Sequence, residues 1–365
     1  MLGVYVHIPF CESKCHYCAF ASFVKDERTQ ERYMNSLIEE IETFAKKEKR
    51  KVDTIYIGGG TPSIISIPLM KKLINALKDN FVWTDDLEFT IEVNPCSITR
   101  EKLEFYKGCG VNRLSVGVQS LDDEQLKVIG RRHNSREAIE KLTLAGKYFN
   151  NLSCDMLIGL PKMDKNAFLK NIEFLTSMGI KHISSYMLQI EDNTPLAKMA
   201  SIKEVVLPDD DECVEAYDEM VKLLKTKGFD RYEVSNFALK GFESKHNFKY
   251  WTGEPYIGFG LGAHSYLDGV RFANSCSFEG YYARQISQKE ILTDKQKIEE
   301  HIMLGLRCKA GISKSFLKSY GYQLDNNENF KLFLQNGVIF QENDKVFLNP
   351  NYYGVSNYII SSLIP

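Results

Sequence analysis

The chain has 365 residues, a length that predicts about two domains and a large buried core. Hydrophobic residues make up 44% and charged residues 26% of the chain, a composition that is typical of globular proteins and excludes disordered, collagen and coiled-coil classes. The net charge of −2 provides no general positive field for nucleic acid.

The N-terminus lacks the basic start and the apolar run of a signal peptide. No stretch reaches the ~18 consecutive apolar residues of a membrane-spanning helix. Nine cysteines are an odd number, so we expect no complete set of disulfides. The sequence predicts a cytoplasmic protein, with peripheral membrane association left open, whose cysteines are metal ligands or buried thiols.

Six units of a strand followed by a helix begin the chain. The predicted strands are Val4–Ile8, Thr54–Ile57, Glu88–Val93, Leu114–Val118, Ser153–Ile158 and His182–Leu188. The predicted helices are Thr29–Ala45, Ile67–Phe81, Thr99–Tyr106, Ser135–Lys147, Lys165–Ser177 and Asp209–Lys227. This alternation predicts a parallel sheet with outer helices, as in a partial (β/α)6 TIM-like barrel, with the chemistry at the C-terminal ends of the strands.

Three cysteines follow the first strand on one short loop. Cys11, Cys15 and Cys18 have the spacing C-x3-C-x2-C, and soft thiolates on one loop are typical ligands of iron–sulfur clusters. Three ligands leave one iron of a four-iron cluster open to another molecule. A zinc site completed by His16 or His7, or a row of buried thiols, remains an alternative, although no second cysteine pair is present.

The second strand ends in a glycine-rich segment, Gly58-Gly59-Gly60-Thr61-Pro62. It matches neither a dinucleotide-binding motif nor a P-loop. Three successive glycines allow the backbone to approach a ligand closely, and we expect spare amides to donate to it.

Polar residues lie within or beside the later strands, where burial is costly unless they are paired. Glu92, Gln119 and Asp155 fall in three successive strands, and Arg131 follows a glycine shortly after one of them. Convergence on one polar ligand, with Arg131 facing a carboxylate, explains them together. Salt bridges with nearby lysines or arginines are the alternative.

The alternation stops near Val234. Residues 236–290 are rich in glycine, asparagine and aromatic residues without clear periodicity. Beyond them, predicted helices at Ile298–Leu306, Lys314–Ser319 and Glu328–Gln335, a strand pair at Val338–Gln341 and Lys345–Leu348, and a helical tail suggest a winged-helix-like module. We therefore expect a core at 1–235 and a C-terminal region at 236–365, divided into 236–292 and a mainly helical module at 293–365.

The cysteine loop and its surroundings resemble the radical S-adenosylmethionine (SAM) superfamily, and within it the HemN/HemW group. The resemblance rests on Tyr5, His7, Pro9 and Tyr17 around the three cysteines and extends over most of the chain. It implies that Cys11, Cys15 and Cys18 ligate a [4Fe–4S] cluster whose fourth iron chelates SAM, and that one-electron reduction cleaves SAM to a 5′-deoxyadenosyl radical. The implied SAM contacts are Tyr5, Tyr17, Gly60, Thr61, Pro62, Glu92, Gln119, Arg131 and Asp155.

Two features indicate the haem-chaperone branch of that group. Phe20 stands where oxygen-independent coproporphyrinogen III dehydrogenases carry a fourth cysteine. The sequence also has the branch's H-N-x-x-Y-W motif, which implies haem contacts at His246, Asn247, Tyr250 and Trp251. Core packing is the alternative for this motif, and His264 is a second candidate neighbour of haem or SAM.

The resemblance therefore implies a chaperone that binds haem and passes it to acceptor haemoproteins, among them membrane or storage proteins. We assign no catalytic residue and leave open whether the protein is an enzyme. Coproporphyrinogen III dehydrogenation is the alternative function. We expect no nucleic-acid partner, because the segment from Lys314 to Pro365 lacks a dense basic cluster, and we expect a monomer or a dimer.

Overall fold

A computed structural model describes all 365 residues. Its strands are β1 (Leu2–Ile8), β2 (Val52–Gly59), β3 (Trp83–Val93), β4 (Arg113–Gln119), β5 (Asn151–Ile158), β6 (His182–Met187), β7 (Asp230–Arg231), β8 (Asn236–Ala238), β9 (Tyr256–Phe259), β10 (His264–Leu267), β11 (Val270–Asn274), β12 (Ile286–Ile291), β13 (Ile312–Ser313), β14 (Ile339–Glu342) and β15 (Lys345–Leu348).

The α-helices occupy the intervals between most of these strands. They are α1 (Glu27–Ala45), α2 (Ile67–Asn80), α3 (Arg100–Gly108), α4 (Asp123–Val128), α5 (Ser135–Gly146), α6 (Lys165–Ser177), α7 (Pro195–Ser201), α8 (Asp210–Thr226), α9 (Lys245–Thr252), α10 (Phe278–Tyr282), α11 (Asp294–Gly305), α12 (Lys314–Ser319), α13 (Glu328–Gln335) and α14 (Ser356–Leu363). Several begin at a side chain that accepts a first-turn N–H, as Asp26 does for α1 and Asn134 for α5.

The six predicted parallel strands are confirmed. β1 to β6 pair in parallel and in chain order, and the six predicted helices lie between or after them as α1, α2, α3, α5, α6 and α8. β3 begins at Trp83, five residues before its predicted start, and the short helices α4 and α7 were not predicted. Connections of this kind give the α/β layers of a partial barrel.

The sheet continues beyond the six parallel strands on both sides. β9 pairs in parallel with β1 and leads to the antiparallel strands β10, β11 and β12, whereas β8 and β7 follow β6. The segment that lacked periodicity in the sequence thus supplies five strands and two helices. Its strands are short and are joined by glycines at positive φ. They therefore contain too few residues for the alternation of a strand or the period of a helix to be recognised.

Helix α9 lies where the curved sheet brings distant strands together. Its His246 contacts Thr54 near the start of β2. The backbone of Ser244, which caps the same helix, donates to the Tyr232 hydroxyl, and that hydroxyl contacts His182 at the start of β6. A helix that reaches the N-terminal ends of both β2 and β6 closes one end of the barrel.

Two apolar cores are separate. The larger core joins the sheet to its helices and includes Ile257, Phe259 and Tyr281 from the segment that follows β8. The second core begins at Ile298 and unites α11 to α14 with the three-stranded sheet β13–β15–β14, as the winged-helix-like prediction requires. No helix is both long and apolar enough to cross a bilayer.

Candidate functional site

The cysteine loop begins where β1 ends. Backbone bonds from Phe23 to Pro9 and from Cys11 to Phe23 close its base at 2.8 and 3.0 Å. Cys11, Cys15 and Cys18 are partly exposed free thiols. Burial raises the pKa of Cys18 above its ordinary value, so a positive partner such as an iron centre is needed to hold it as a thiolate.

Two polar side chains donate to the sulfurs of this loop. Thr61 Oγ1 lies 3.6 Å from Cys11 Sγ, and Arg131 Nη1 lies 3.5 Å from Cys15 Sγ. Hydrogen bonds to sulfur ligands are one of the means by which a protein tunes a cluster. Both donors belong to the residues predicted to contact SAM.

The donor set fits a cluster better than a single zinc ion. No three His, Cys, Asp or Glu side chains are arranged around one metal-ion position, whereas each thiolate of an iron–sulfur cluster binds a different iron. Both ring nitrogens of His7 have partners, Tyr5 at 3.0 Å and the Ala21 carbonyl at 3.1 Å. His16 Nδ1 bonds the Val128 carbonyl at 2.7 Å, and neither histidine belongs to a group of three side chains that could hold one metal ion.

The expectation of spare amides in the glycine-rich segment is wrong. Gly59 N–H donates to Glu92 at 3.0 Å, Gly60 N–H to the Ile8 carbonyl at 2.8 Å, and Thr61 N–H to the Phe10 carbonyl at 2.8 Å. A Cβ on Gly60 would lie 2.6 Å from the Phe10 carbonyl oxygen. The glycines therefore let this segment pack against the start of the cysteine loop.

Glu92, near the C-terminal end of β3, holds an incompletely buried carboxylate. Tyr56 donates its hydroxyl to Oε1 at 2.8 Å, and Gly59 donates to Oε2. Burial raises the pKa of Glu92 to about 7, which these two bonds oppose and the charge of Asp155 reinforces. A cationic ligand would stabilise the charged form, as the ammonium group of SAM requires.

Asp155 in β5 is surrounded by serine hydroxyls of β4, β5 and β6. Ser115 donates to both carboxylate oxygens at 3.1 Å, and Ser153 and Ser184 add further hydroxyls. Burial still raises the pKa of Asp155. The local salt bridge that we weighed for Glu92 and Asp155 is absent, because neither carboxylate contacts a lysine or arginine within 4.0 Å.

Arg131 and Arg132 are adjacent in the sequence but have different partners. Arg131 Nη2 bonds Asn94 Oδ1 at 2.9 Å and also the Gly117 carbonyl, whereas Arg132 forms a surface ion pair with Glu12 at 2.5 Å. Of the two arginines, Arg131 is the one that lies beside Cys15, and its contact with SAM stays a prediction. Gln119 ends β4 with φ of 71°, an uncommon conformation for a residue other than glycine.

The remaining predicted SAM residues are Tyr5, Tyr17 and Pro62. Tyr17 packs with Ile129 and Leu157, and the charge of Arg131 lowers its pKa against the larger effect of burial. Tyr5 in β1 is half-buried and bonds His7. Pro62 is buried at the start of a 3-10 helix, next to Thr61. Their contacts with SAM stay predictions.

The histidine of the H-N-x-x-Y-W motif has no free nitrogen. His246 is 1% exposed, and its Nδ1 bonds Thr54 Oγ1 at 2.9 Å while Nε2 bonds Tyr250 Oη at 2.9 Å. Burial lowers the pKa of His246 to about 3. The predicted ligation of haem by His246 therefore requires the ring to leave both partners.

The other predicted haem residues are more accessible. Asn247, Tyr250 and Trp251 are partly exposed on α9. His264 is exposed at the start of β10, and Gly262, two residues before it, lies against Ala21 of the cysteine loop. The two candidate histidines thus belong to different parts of the barrel.

Sequence reasoning missed the partners of the predicted site. The missed residues are Tyr56, Asn94, Ser115, Ser153 and Ser184. A signal was present, because polar residues occupy alternate positions in successive strands, as Glu88, Thr90 and Glu92 do in β3. A parallel strand covered by helices on both faces is normally apolar throughout, so this alternation indicates an interior face that is polar.

Comparison with known proteins relates the whole chain to one group. Residues 5–175 match the radical SAM superfamily. The chain is 37% identical over 362 residues to the heme chaperone HemW of Bacillus subtilis (strain 168), with 95% of each chain covered. It is 36% identical over 266 residues to the heme chaperone HemW of Escherichia coli (strain K12), with 72% of this chain and 69% of the relative covered.

A solved structure shares the fold. Coproporphyrinogen III oxidase (HemN) from Escherichia coli, a radical SAM enzyme, matches with a TM-score of 0.86 over 100% of this chain and 90% of its own. The sequence identity is 21%, so this likeness supports the partial barrel and its C-terminal extension but carries no inference about the reaction.

Proposed function

We propose that the protein binds haem and transfers it to acceptor haemoproteins while carrying a [4Fe–4S] cluster and SAM. The reason is that the chain belongs to the HemW family of radical SAM proteins. The observation that carries the proposal is the loop after β1. There three free thiols lie on one loop, and Thr61 and Arg131 donate to two of their sulfurs. Membrane and storage haemoproteins are the acceptors that we propose.

Cys11, Cys15 and Cys18 would hold the cluster. Three cysteine ligands would leave one iron with an open coordination position, and SAM is the ligand that we propose for it. Glu92 and the carbonyls of the glycine-rich segment would accept hydrogen bonds from the amino group of SAM, and Asp155 would accept from its ribose hydroxyls. Arg131 provides the positive charge that a carboxylate needs.

Haem binding has two candidate axial ligands on this chain. His264 is exposed and accessible, whereas His246 becomes available only after its bonds to Thr54 and Tyr250 break. Imidazole is a common axial ligand of haem iron, and an apolar aromatic surface such as Trp251 suits the flat macrocycle. The two histidines make the location of haem directly testable.

The test is a haem titration of anaerobically reconstituted protein, followed through the Soret band. We expect a saturable shift in the wild type. Substituting the histidine that ligates haem, by either His246→Ala or His264→Ala, should remove this shift. His301→Ala, in the C-terminal module, is the matched control and should bind haem as the wild type does. Absence of a Soret shift in the wild type would contradict haem binding.

A second measurement separates a carrier from a catalyst. 5′-Deoxyadenosine is quantified with SAM and a reductant, with and without haem, and then with coproporphyrinogen III. We expect no oxidative decarboxylation of the porphyrinogen, in keeping with Phe20 at the position of the fourth cysteine. Turnover of coproporphyrinogen III would overturn the chaperone assignment in favour of the dehydrogenase.

A further inference from the structure

We propose that His246 is a positioning residue for the SAM site, which it supports by holding the ring of Tyr56 so that its hydroxyl reaches Glu92. This inference rests on the proposed SAM site and adds a role for the H-N-x-x-Y-W helix that does not involve ligation of haem iron. Its basis is an unbroken series of contacts from α9 to the carboxylate of Glu92.

The His246 ring is fixed on two sides. Nδ1 meets the Thr54 hydroxyl and Nε2 meets the Tyr250 hydroxyl, each at 2.9 Å. A neutral imidazole has one N–H donor and one acceptor nitrogen, so two hydroxyl partners satisfy it completely. Burial keeps the ring neutral, since the pKa of His246 falls to about 3.

The face of this ring lies against Tyr56. Their ring centroids are 5.3 Å apart with an interplanar angle of 29°, within the range of offset-stacked aromatic pairs. Tyr5 packs near the same imidazole at 6.4 Å and 30°. Tyr56 itself is nearly buried, and its hydroxyl donates to Glu92 Oε1 at 2.8 Å. The imidazole therefore limits where the phenol can lie.

Helix α9 is anchored so that His246 cannot drift. Glu88 accepts the backbone N–H groups of Lys245 and His246 at 2.9 and 3.0 Å, and a carboxylate is favourable at a helix N-terminus. Buried Lys249, on the next turn, forms ion pairs with Asp53 and Glu254 at 2.8 Å each. The helix is thus held to β2 and β3, the strands that carry Tyr56 and Glu92.

Displacement of Tyr56 has a defined chemical consequence. Glu92 then keeps only its bond from Gly59, and losing a donor to the charged carboxylate raises the pKa of Glu92 above about 7. SAM presents its cationic sulfonium and its amino group to this carboxylate, and that amino group titrates at about pH 8 with wild type and variants alike. Asp155, which raises the pKa of Glu92, and Arg113, which lowers it, are also common to all of them. The difference between wild type and variant therefore reports the ionisation of Glu92, which strengthens binding with a midpoint at its pKa. Disturbing His246 should move this midpoint to higher pH.

The experiment compares His246→Leu, which removes the ring, with His246→Phe, which keeps an aromatic face over Tyr56. SAM affinity of the anaerobically reconstituted protein is measured by calorimetry from pH 6 to pH 9. His246→Leu should weaken binding at neutral pH about tenfold, the effect of one lost hydrogen bond to a charged group, and raise the midpoint. His246→Phe should remain within about threefold of the wild type.

Matched variants keep the proposal falsifiable. His301→Leu removes a histidine that stacks on Phe316 at 4.2 Å in the second core, and it should leave both affinity and midpoint unchanged. If His246→Leu does not fold, as judged by urea unfolding, Tyr56→Phe deletes only the hydroxyl that reaches Glu92 and should shift the midpoint in the same direction.

Three outcomes would overturn the inference. One is wild-type SAM affinity and midpoint in His246→Leu, and another is an equal loss in His246→Phe and His246→Leu. The third is an unchanged midpoint in Tyr56→Phe. Wild-type protein that binds no SAM at any pH would instead refute the proposed function, and the inference with it, so the two failures are distinguishable.

Discussion

Both ends of the barrel interior contain charged and polar side chains, but these side chains differ in burial and in their partners. At the N-terminal end, which we call the floor, Glu88, Arg113 and His182 are almost fully buried. At the C-terminal end, which we call the rim, Glu92 and Asp155 are partly exposed. Burial alone therefore does not identify the site, because the floor contains the more deeply buried charges.

What distinguishes the ends is where their polar groups find partners. Glu88 accepts the N-terminus of α9, and His182 bonds Ser153 and Tyr232 at 2.7 Å each. Burial opposes the charge of Arg113, but Glu88 raises its pKa. On the rim, burial raises the pKa of both carboxylates and no arginine or lysine pairs with them. Arg113 Nε and Nη1 nevertheless lack a hydrogen-bond partner, and the charge of Arg113 opposes the rise in pKa of both rim carboxylates. The floor carboxylate thus meets the N-terminus of a helix, whereas the rim carboxylates are held by neutral donors and would be stabilised further by a cationic ligand.

Removing a cysteine ligand of the cluster should have the largest effect of the substitutions considered, and this effect should be confined to the rim. We expect Cys11→Ala to abolish the iron and sulfide content found in reconstituted wild-type protein, since each thiolate binds its own iron. Cys276→Ala, an exposed thiol outside the loop, is the matched control. Equal iron content in the two variants would contradict the assigned ligands.

Neutralising one carboxylate at each end compares the contribution of floor and rim to the free energy of unfolding. Glu88→Gln should lower the free energy of unfolding by about 2 kcal/mol, because the N-terminus of α9 loses a charged acceptor and Arg113 loses the nearby negative charge. Glu92→Gln should change it by less than about 1 kcal/mol or stabilise the protein at pH 8, since a charge without a positive partner is removed. Urea unfolding of both variants tests this, and equal losses would show that the two ends do not differ.

The rim should also confer a pH dependence on stability. The folded pKa of Glu92 is about 7 against an ordinary 4.5, so its protonated form stabilises the fold below pH 4.5 and this stabilisation is lost as the pH rises through 7. Between pH 5 and pH 8 the wild type should lose about 2 to 3 kcal/mol more than Glu92→Gln. Parallel unfolding curves at the two pH values would disprove the raised pKa.

The smallest effect is expected outside the barrel interior. Asn134 caps α5 by accepting the Glu137 N–H at 2.9 Å. Asn134→Ala should cost about 1 kcal/mol of stability with no change in SAM affinity, measured by urea unfolding and calorimetry. A changed SAM affinity would show that binding at the rim depends on the overall stability of the protein. The difference between rim and floor would then be less specific.

Much of the framework could be predicted because it depends on neighbouring residues. Strand and helix periodicity predicted β1 to β6 and the six main helices, and the spacing of three cysteines marked the loop. The segment of β8 to β12 was not recognised, because its strands are short and its turns use glycines at positive φ, such as Gly260 and Gly262. Local patterns are weakest where elements contain only three or four residues.

The candidate site was only partly predictable for a different reason. Glu92, Arg131 and Asp155 were singled out as polar residues within or beside apolar strands, yet Tyr56 and Ser115 were not, although they hold two of these carboxylates. Hydroxyl residues are ordinary in strands, so their type gives no warning. Only the alternation of polar residues along several strands could have revealed them.

Periodicity and spacing along the chain were enough to predict the parallel strands, the cysteine loop and the family resemblance. The pairing of the glycine-rich amides and the burial of His246 between Thr54 and Tyr250 became visible only in the folded chain. Thr54 and His246 are separated by 192 positions, and only sheet register and curvature bring them together. A hydrogen-bond partner at that distance in sequence leaves no local pattern, so the roles of the floor and the rim had to come from the fold.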